Sequence, residues 1–187
     1  ARAEAPAAAR GFTAADLVTL NRISEPAISP DGKWLAYVLR ETDMEANRGR
    51  YDLFLLNLEE KGAEPRRLAA DPASDTSPQW SADGQHLFFL STRSGTSQVW
   101  RYTFASGVAM PVTDSPVNIS GFRLSPRNDR IVFWADTFPD CKADLKCTAD
   151  RLAAKEKNPE TGRTYDQLFI RHWDTWADGT RSQLFSV

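Results

Sequence analysis

Three stretches of the chain repeat one pattern, a polar turn followed by a dense apolar run. They are Ser29-Pro-Asp-Gly-Lys-Trp-Leu-Ala-Tyr-Val38, Ser81-Ala-Asp-Gly-Gln-His-Leu-Phe-Phe-Leu90 and Ser125-Pro-Arg-Asn-Asp-Arg-Ile-Val-Phe-Trp134, with starts 52 and 44 residues apart. Self-similarity at about 40–50 residues is the signature of propeller blades. In each copy a short strand enters (26–28, 78–80, 122–124) and an Asp-Gly or Asn-Asp turn supplies positive φ for a tight reversal. A strand bulky on both faces then leaves, as expected between stacked sheets. Third strands read at 51–57, 97–102 and 181–187, and outer strands with proline, suited to an edge, at 64–69 and 109–113. The third unit shows no outer strand. The pattern predicts an all-β partial β-propeller of about three four-stranded blades, spanning about 24–70, 74–114 and 118–187.

Two segments depart from the repeat. Residues 1–11 read as a disordered leader. Residues 12–23 read as a short lead-in helix docked on the propeller, opened by a capping box at Thr13 and Asp16, with Phe12 and Leu17 as a staple and Leu17, Leu20 and Ile23 as its apolar face. An insertion at about 137–179 separates the second and third strands of the last blade. It predicts a helix within 143–157, then an extended aromatic arm over 167–176 that turns at Ala177-Asp-Gly179. In an antiparallel blade, loops between second and third strands share a face with the blade crossovers. The insertion and the loops 42–50 and 92–96 therefore belong on one face, which the long insertion marks as the working one.

Composition narrows the function classes. The 187 residues are 41% hydrophobic and 26% charged, with a formal net charge of -2 and interspersed signs. A nucleic-acid partner calls for a clustered basic surface, which is absent, and no run of about 18 apolar residues suggests a membrane span. Cys141 and Cys147 have no second Cys or His pair at ligand spacing, which argues against metal. A local disulfide is the reading adopted, with two free thiols as its alternative. The disulfide implies an oxidising compartment, periplasmic or extracellular.

No Gly-x-Ser-x-Gly elbow, phosphate-cradling glycine loop or paired metal ligand set occurs, so neither catalytic residue nor cofactor is assigned. Trp34, Trp80, Trp100 and Trp134 recur in blade strands and are expected in the core, and His86 is expected to be a satisfied structural residue. The arm residues Arg171, His172, Trp173 and Asp174 are candidates for substrate contact. Among the insertion's acids Glu156, Glu160, Asp166 and Asp174, mostly solvated or paired, one is a candidate for holding a peptide's amino terminus; Glu156 joins the arm residues as a candidate.

The blade blocks, together with Phe12-Thr-Ala-Ala-Asp-Leu17, the cysteine insertion, Arg171-His-Trp-Asp-Thr-Trp176 and Arg181-Ser-Gln-Leu-Phe185, resemble the propeller of the prolyl oligopeptidase superfamily, in its dipeptidyl-peptidase 5 and acylaminoacyl-peptidase-like branch. The resemblance covers nearly all of residues 12–187. It implies a propeller of seven or eight blades over an α/β-hydrolase domain with a Ser-Asp-His triad, acting on peptide amino termini. No triad position lies in these residues. Three blades do not close a ring, so the expected partners are the remainder of a parent peptidase or other copies of this chain, besides the peptide substrate. A non-enzymatic TolB-like interaction module is the alternative.

Overall fold

The computed structural model describes residues 10–68, 71–160, 162, 164–166, 168 and 171–187; the leader expected at 1–11 lies outside them except for Arg10 and Gly11. After helix α1 (Ala14–Thr19), strands β1 (Arg22–Ile28), β2 (Trp34–Asp43), β3 (Arg48–Asn57) and β4 (Arg66–Arg67) form one antiparallel sheet in chain order. Strands β5 (Asp75–Trp80), β6 (His86–Ser91), β7 (Gln98–Thr103) and β8 (Val108–Pro111) form the second in the same way. A third sheet has the order β13-β10-β9, from β9 (Gly121–Leu124), β10 (Ile131–Thr137) and β13 (Arg181–Ser186). Helix α2 (Leu145–Lys157) and the two-stranded hairpin β11 (Arg171–His172) with β12 (Thr175–Trp176) interrupt this last blade. The fold is a partial β-propeller, as the repeat predicts.

The repeated turn has one hydrogen-bond design. The hydroxyls of Ser29 and Ser81 donate to Asp31 and Asp83 at 2.5 and 2.6 Å, and accept the N–H of Trp34 and His86, both at 2.9 Å. Gly32 and Gly84 supply φ of 76° and 69°. In the third blade Asn128 takes that position (φ 56°), and the acid moves to Asp129, which still accepts the Ser125 hydroxyl at 2.6 Å. Each serine thus closes a tight reversal whose apolar exit strand follows in fixed register.

Alternation along β6 shows why that strand is bulky on both faces. Leu87 and Phe89 pack with Ala36, Val38, Leu53, Leu55 and Leu68 of the first blade, while Phe88 and Leu90 pack with Ile119, Phe122, Ile131 and Phe133 towards the third. One strand with period two seeds two interblade cores. Trp34, Trp80 and Trp100 pack against the first of these cores; Trp134 belongs to neither and lies instead over Gly121, where a β-carbon would overlap its ring. His86 bonds Thr103 through Nδ1 at 3.1 Å.

Polar links bridge the blades as well. The Trp80 indole N–H donates to the Ala27 carbonyl at 2.9 Å, and the Ser77 N–H donates to Glu25 at 2.6 Å. The Gln79 carboxamide donates to the Phe122 carbonyl at 2.8 Å and accepts from the Leu124 N–H at 3.4 Å. The innermost strands β1 and β5 are bulged at equivalent places, between Ser24 and Ala27 and between Thr76 and Gln79, with Glu25 and Ser77 at φ of 52° and 56°.

The loop between β6 and β7 meets the crossovers on both sides of its blade. Ser74 and Thr92 exchange hydrogen bonds, and Ser97 is bonded to Asn118 and Ile119. Several boundaries differ from expectation. The helix ends at Thr19 and Ile23 pairs with Leu39 inside β1, where the ladder with β2 satisfies the backbone groups that face it. The capping box forms at Thr13 and Asp16, but Phe12, Leu17 and Leu20 stay exposed, and the helix is tied to the blade through the Thr42 hydroxyl donating to the Val18 carbonyl at 2.7 Å. The first outer strand shrinks to two residues, and the second to Val108–Pro111.

Candidate functional site

The insertion is anchored at its base by chemistry local to residues 138–151. A 3-10 turn at Pro139–Cys141 leads to α2, whose N-cap Asp144 accepts the Cys147 N–H at 3.0 Å. Cys141 and Cys147 form the disulfide, joining turn to helix. Arg151 reaches back to Asp140 at 2.5 Å and lies 4.1 Å from the centroid of the Phe138 ring. The buried Thr148 hydroxyl accepts the Phe138 N–H at 3.3 Å. Lys155 and Lys157 close the helix where its carbonyl end favours cations.

The arm is a hairpin, a correction to the extended segment expected through 176. The chain reverses at Trp173 and Asp174, so that Arg171 pairs with Trp176 and His172 with Thr175. Trp173 takes a φ of 54° at the tip, unusual for so bulky a residue, and is 88% exposed. The Arg171 guanidinium lies 5.4 Å from the Trp176 ring, and Tyr165 stacks on that ring at 6.1 Å. The part of the expected arm at 167, 169 and 170 lies outside the described residues.

Between α2 and the hairpin opens a cleft of 580 Å³, lined by Leu152, Lys155 and Glu156 from the helix and by Asp174, Trp176 and Asp178 from the hairpin side. Three carboxylates face one ammonium there, and Lys155 Nζ is spent on the Asp178 carbonyl at 3.3 Å. Burial pushes the Asp178 carboxyl up; the Thr180 hydroxyl and amide, with the charge of Lys155, outweigh it and hold the carboxyl below the ordinary range. Glu156 has no ion-pair partner among the described residues. The surplus negative charge beside an indole suits a cationic group carried on an apolar body.

The structure thus brings two of the sequence candidates, Glu156 and Asp174, to one cleft. Arg171 and Trp173 share the hairpin with Asp174 but do not line the cleft, and neither do Glu160 and Asp166; the His172 side chain lies outside what the structure describes. Sequence reasoning missed Leu152, Lys155, Trp176 and Asp178. Leu152, Lys155 and Glu156 stand at i, i+3 and i+4 of a helix, a spacing that places them on one face and is visible in the sequence. Among the described residues no group of three or more His, Cys, Asp or Glu is arranged to hold a metal ion, and no helix is long and apolar enough to cross a membrane.

Known proteins agree with the blade repeat. Dipeptidyl-peptidase 5 of Porphyromonas gingivalis is 29% identical over 162 residues, a stretch that covers 86% of this chain and 22% of the relative. Dipeptidyl-peptidase 5 of Arthroderma otae is 26% identical over 187 residues, covering 94% of this chain and 24% of its own length. This chain therefore spans less than a quarter of these relatives, and its similarity lies in their propeller region. Among solved structures, the acylaminoacyl peptidase of Pyrococcus horikoshii superposes with a TM-score of 0.62 at 19% identity, over 91% of this chain and 23% of that one, which is a likeness of fold. The resemblance to the prolyl oligopeptidase superfamily stands. The sequence pattern of PD40, the TolB beta propeller domain, matches residues 17–152, most of the chain, which accordingly belongs to that family.

Proposed function

We propose that this chain is the leading propeller segment of a secreted or periplasmic serine exopeptidase of the dipeptidyl-peptidase kind. In it the propeller restricts access to an α/β-hydrolase domain carried elsewhere in the protein, and the insertion cleft holds the amino terminus of the peptide. The observation that carries this reading is the cleft itself: Glu156, Asp174 and Asp178 oppose a single lysine beside Trp176. An ammonium entering there gains charge-assisted contacts, and the indole takes the first side chain. The disulfide supports an oxidising compartment.

The test is kinetic, on the whole protein that carries this chain. Glu156→Gln and Asp174→Asn should raise KM for peptides with a free amino terminus by about tenfold each, with little change for amino-blocked peptides. Unchanged KM for both substrate types sinks the cleft assignment. A fluorophosphonate probe that labels no serine in the native protein sinks the peptidase reading.

The family match supports a second reading, a TolB-like interaction module without catalysis. Under it the exposed Trp173 tip is a partner contact, and the native preparation takes no label while Trp173→Ser weakens capture of a protein partner.

A further inference from the structure

A second recess, sharing no lining residue with the insertion cleft, lies where the innermost strands of the three blades meet. Its 440 Å³ are bordered by Glu25 of the first blade, Ser77 and Gln79 of the second, and Gly121, Arg123 and Trp134 of the third. Glu25, Ser77 and Gly121 are equivalent in the repeat, each four residues before the turn serine. The positive-φ bulge at Ser77 turns its N–H onto Glu25 Oε2 at 2.6 Å, which fixes the carboxylate at the rim. No hydrogen bond to Oε1 is found among the described residues.

The opposite wall is basic. Arg123 Nη1 donates to the neighbouring Phe122 carbonyl at 3.0 Å, and the guanidinium lies 6.0 Å from the Trp134 ring centroid. No carboxylate pairs with it among the described residues. Gly121 matters here, because a β-carbon would overlap the Trp134 ring; glycine is what lets the indole lie against β9 and form part of the lining. The recess therefore runs from a fixed carboxylate, past an aromatic face, to an arginine fork. The carboxylate is held by the second blade's Ser77 N–H and the guanidinium by its own blade, and the two charges do not pair with each other.

We propose that this recess binds a small zwitterion, a free dipeptide, with its ammonium on Glu25, its carboxylate on Arg123 and its side chain against Trp134. An arginine fork matches a carboxylate in two parallel hydrogen bonds. The volume falls within the range of about 300–1,000 Å³ usual for small-molecule sites. A single amino acid carries its two charges on one carbon, whereas here blade two separates the acid from the base. A longer peptide moves its second charge outward by about 3.3–3.6 Å for each added residue. The inference uses none of the residues of the insertion cleft. If the peptidase reading also holds, the ligand belongs to the class of product such an enzyme releases, and the recess is a product site.

The experiment is calorimetric titration of the whole protein with alanyl-phenylalanine, its amino-acetylated form and its carboxamide. The free dipeptide should bind about tenfold more tightly than either blocked form. Glu25→Gln should erase the discrimination against the acetylated form, while its amide oxygen keeps the Ser77 N–H satisfied. Arg123→Gln should erase the discrimination against the carboxamide, and Arg123→Lys should retain part of it. Both side chains are exposed, so thermal melts of the variants should match the parent. Equal affinity for free and blocked forms overturns the proposal, as does free-dipeptide affinity that survives both Gln substitutions. Glu156→Gln should leave this titration unchanged, so failure here and failure of the insertion-cleft assignment appear in different variants.

Discussion

Arg93 closes over Asp75: its Nη2 lies 2.5 Å from a carboxylate that is 1% exposed, and its guanidinium stands 5.0 Å from the centroid of the Trp100 ring. The Ser91 hydroxyl accepts Arg93 Nε at 2.8 Å, completing the socket. A parallel pair, Arg67 on buried Asp52, lies in the first blade near enough for Asp52 to act on Asp75. Burial pushes the Asp75 carboxyl up, against the pull of Ser91 and Arg93.

Arg93→Ala should therefore cost about 3 kcal/mol at neutral pH, because an unpaired carboxylate is left buried. Without its partner the folded-state pKa of Asp75 rises further above the unfolded value. The folded state then binds the proton more readily, so the penalty should shrink as pH falls towards the carboxylate range near about pH 4. Urea denaturation of variant and parent at several pH values checks this; a penalty that grows in acid refutes it.

The turn aspartates behave in the opposite sense. Serine hydroxyls and the backbone amides of Lys33 and Gln85 hold the Asp31 and Asp83 carboxyls below the ordinary range. A depressed folded-state pKa stabilises above the unfolded value and is lost as pH falls through the folded one. Asp31→Asn with Asp83→Asn should flatten the acid limb of the stability curve below about pH 4, read from melting temperature against pH. An acid limb identical to the parent's goes against it.

Gly121→Ala should destabilise by about 1–3 kcal/mol, since its β-carbon meets the Trp134 ring. The displaced indole should shift tryptophan emission. Adding Trp134→Leu should recover part of the loss, and a double variant no better than the single one counts against the clash.

Cys141→Ser should lower stability by about 2 kcal/mol through the small loop it opens. The effect should be confined: amide exchange should quicken across α2, which the disulfide ties to its base, while β6 and β7 keep their protection. Hydrogen exchange followed residue by residue makes the comparison. Uniform loss of protection is the contrary result.

The blades were legible because serine, acid and a positive-φ residue recur at a fixed offset from a strand with apolar residues on both faces. Even the third copy could be read, although its acid moved from the second to the fourth position after Ser125. The bulges were not, because Glu25 and Ser77 carry no glycine to announce their positive φ; each is held there by contacts from a neighbouring blade. Leu17, Leu20 and Ile23 imitated a helical stripe, and only pairing of Ile23 with Leu39 reveals that β1 begins at Arg22, ahead of the expected 26–28. The hairpin hid for a related reason, since nothing in Trp173 itself suggests a turn. The insertion cleft was half visible: its acids stand out by charge, but their convergence depends on how α2 sits against a hairpin many residues away.

Among the described residues adjacent blades share no backbone ladder, so main-chain pairing does not index one against the next. Gln79 does so between the second and third, its carboxamide standing where another peptide group would be and touching β9 through both donor and acceptor. A slip of one residue along β9 exchanges a carbonyl for an N–H and turns both contacts into mismatches. The joint is thus keyed to one tooth, and a misdocked blade is rejected where it meets its neighbour, before the error can be handed on along the array.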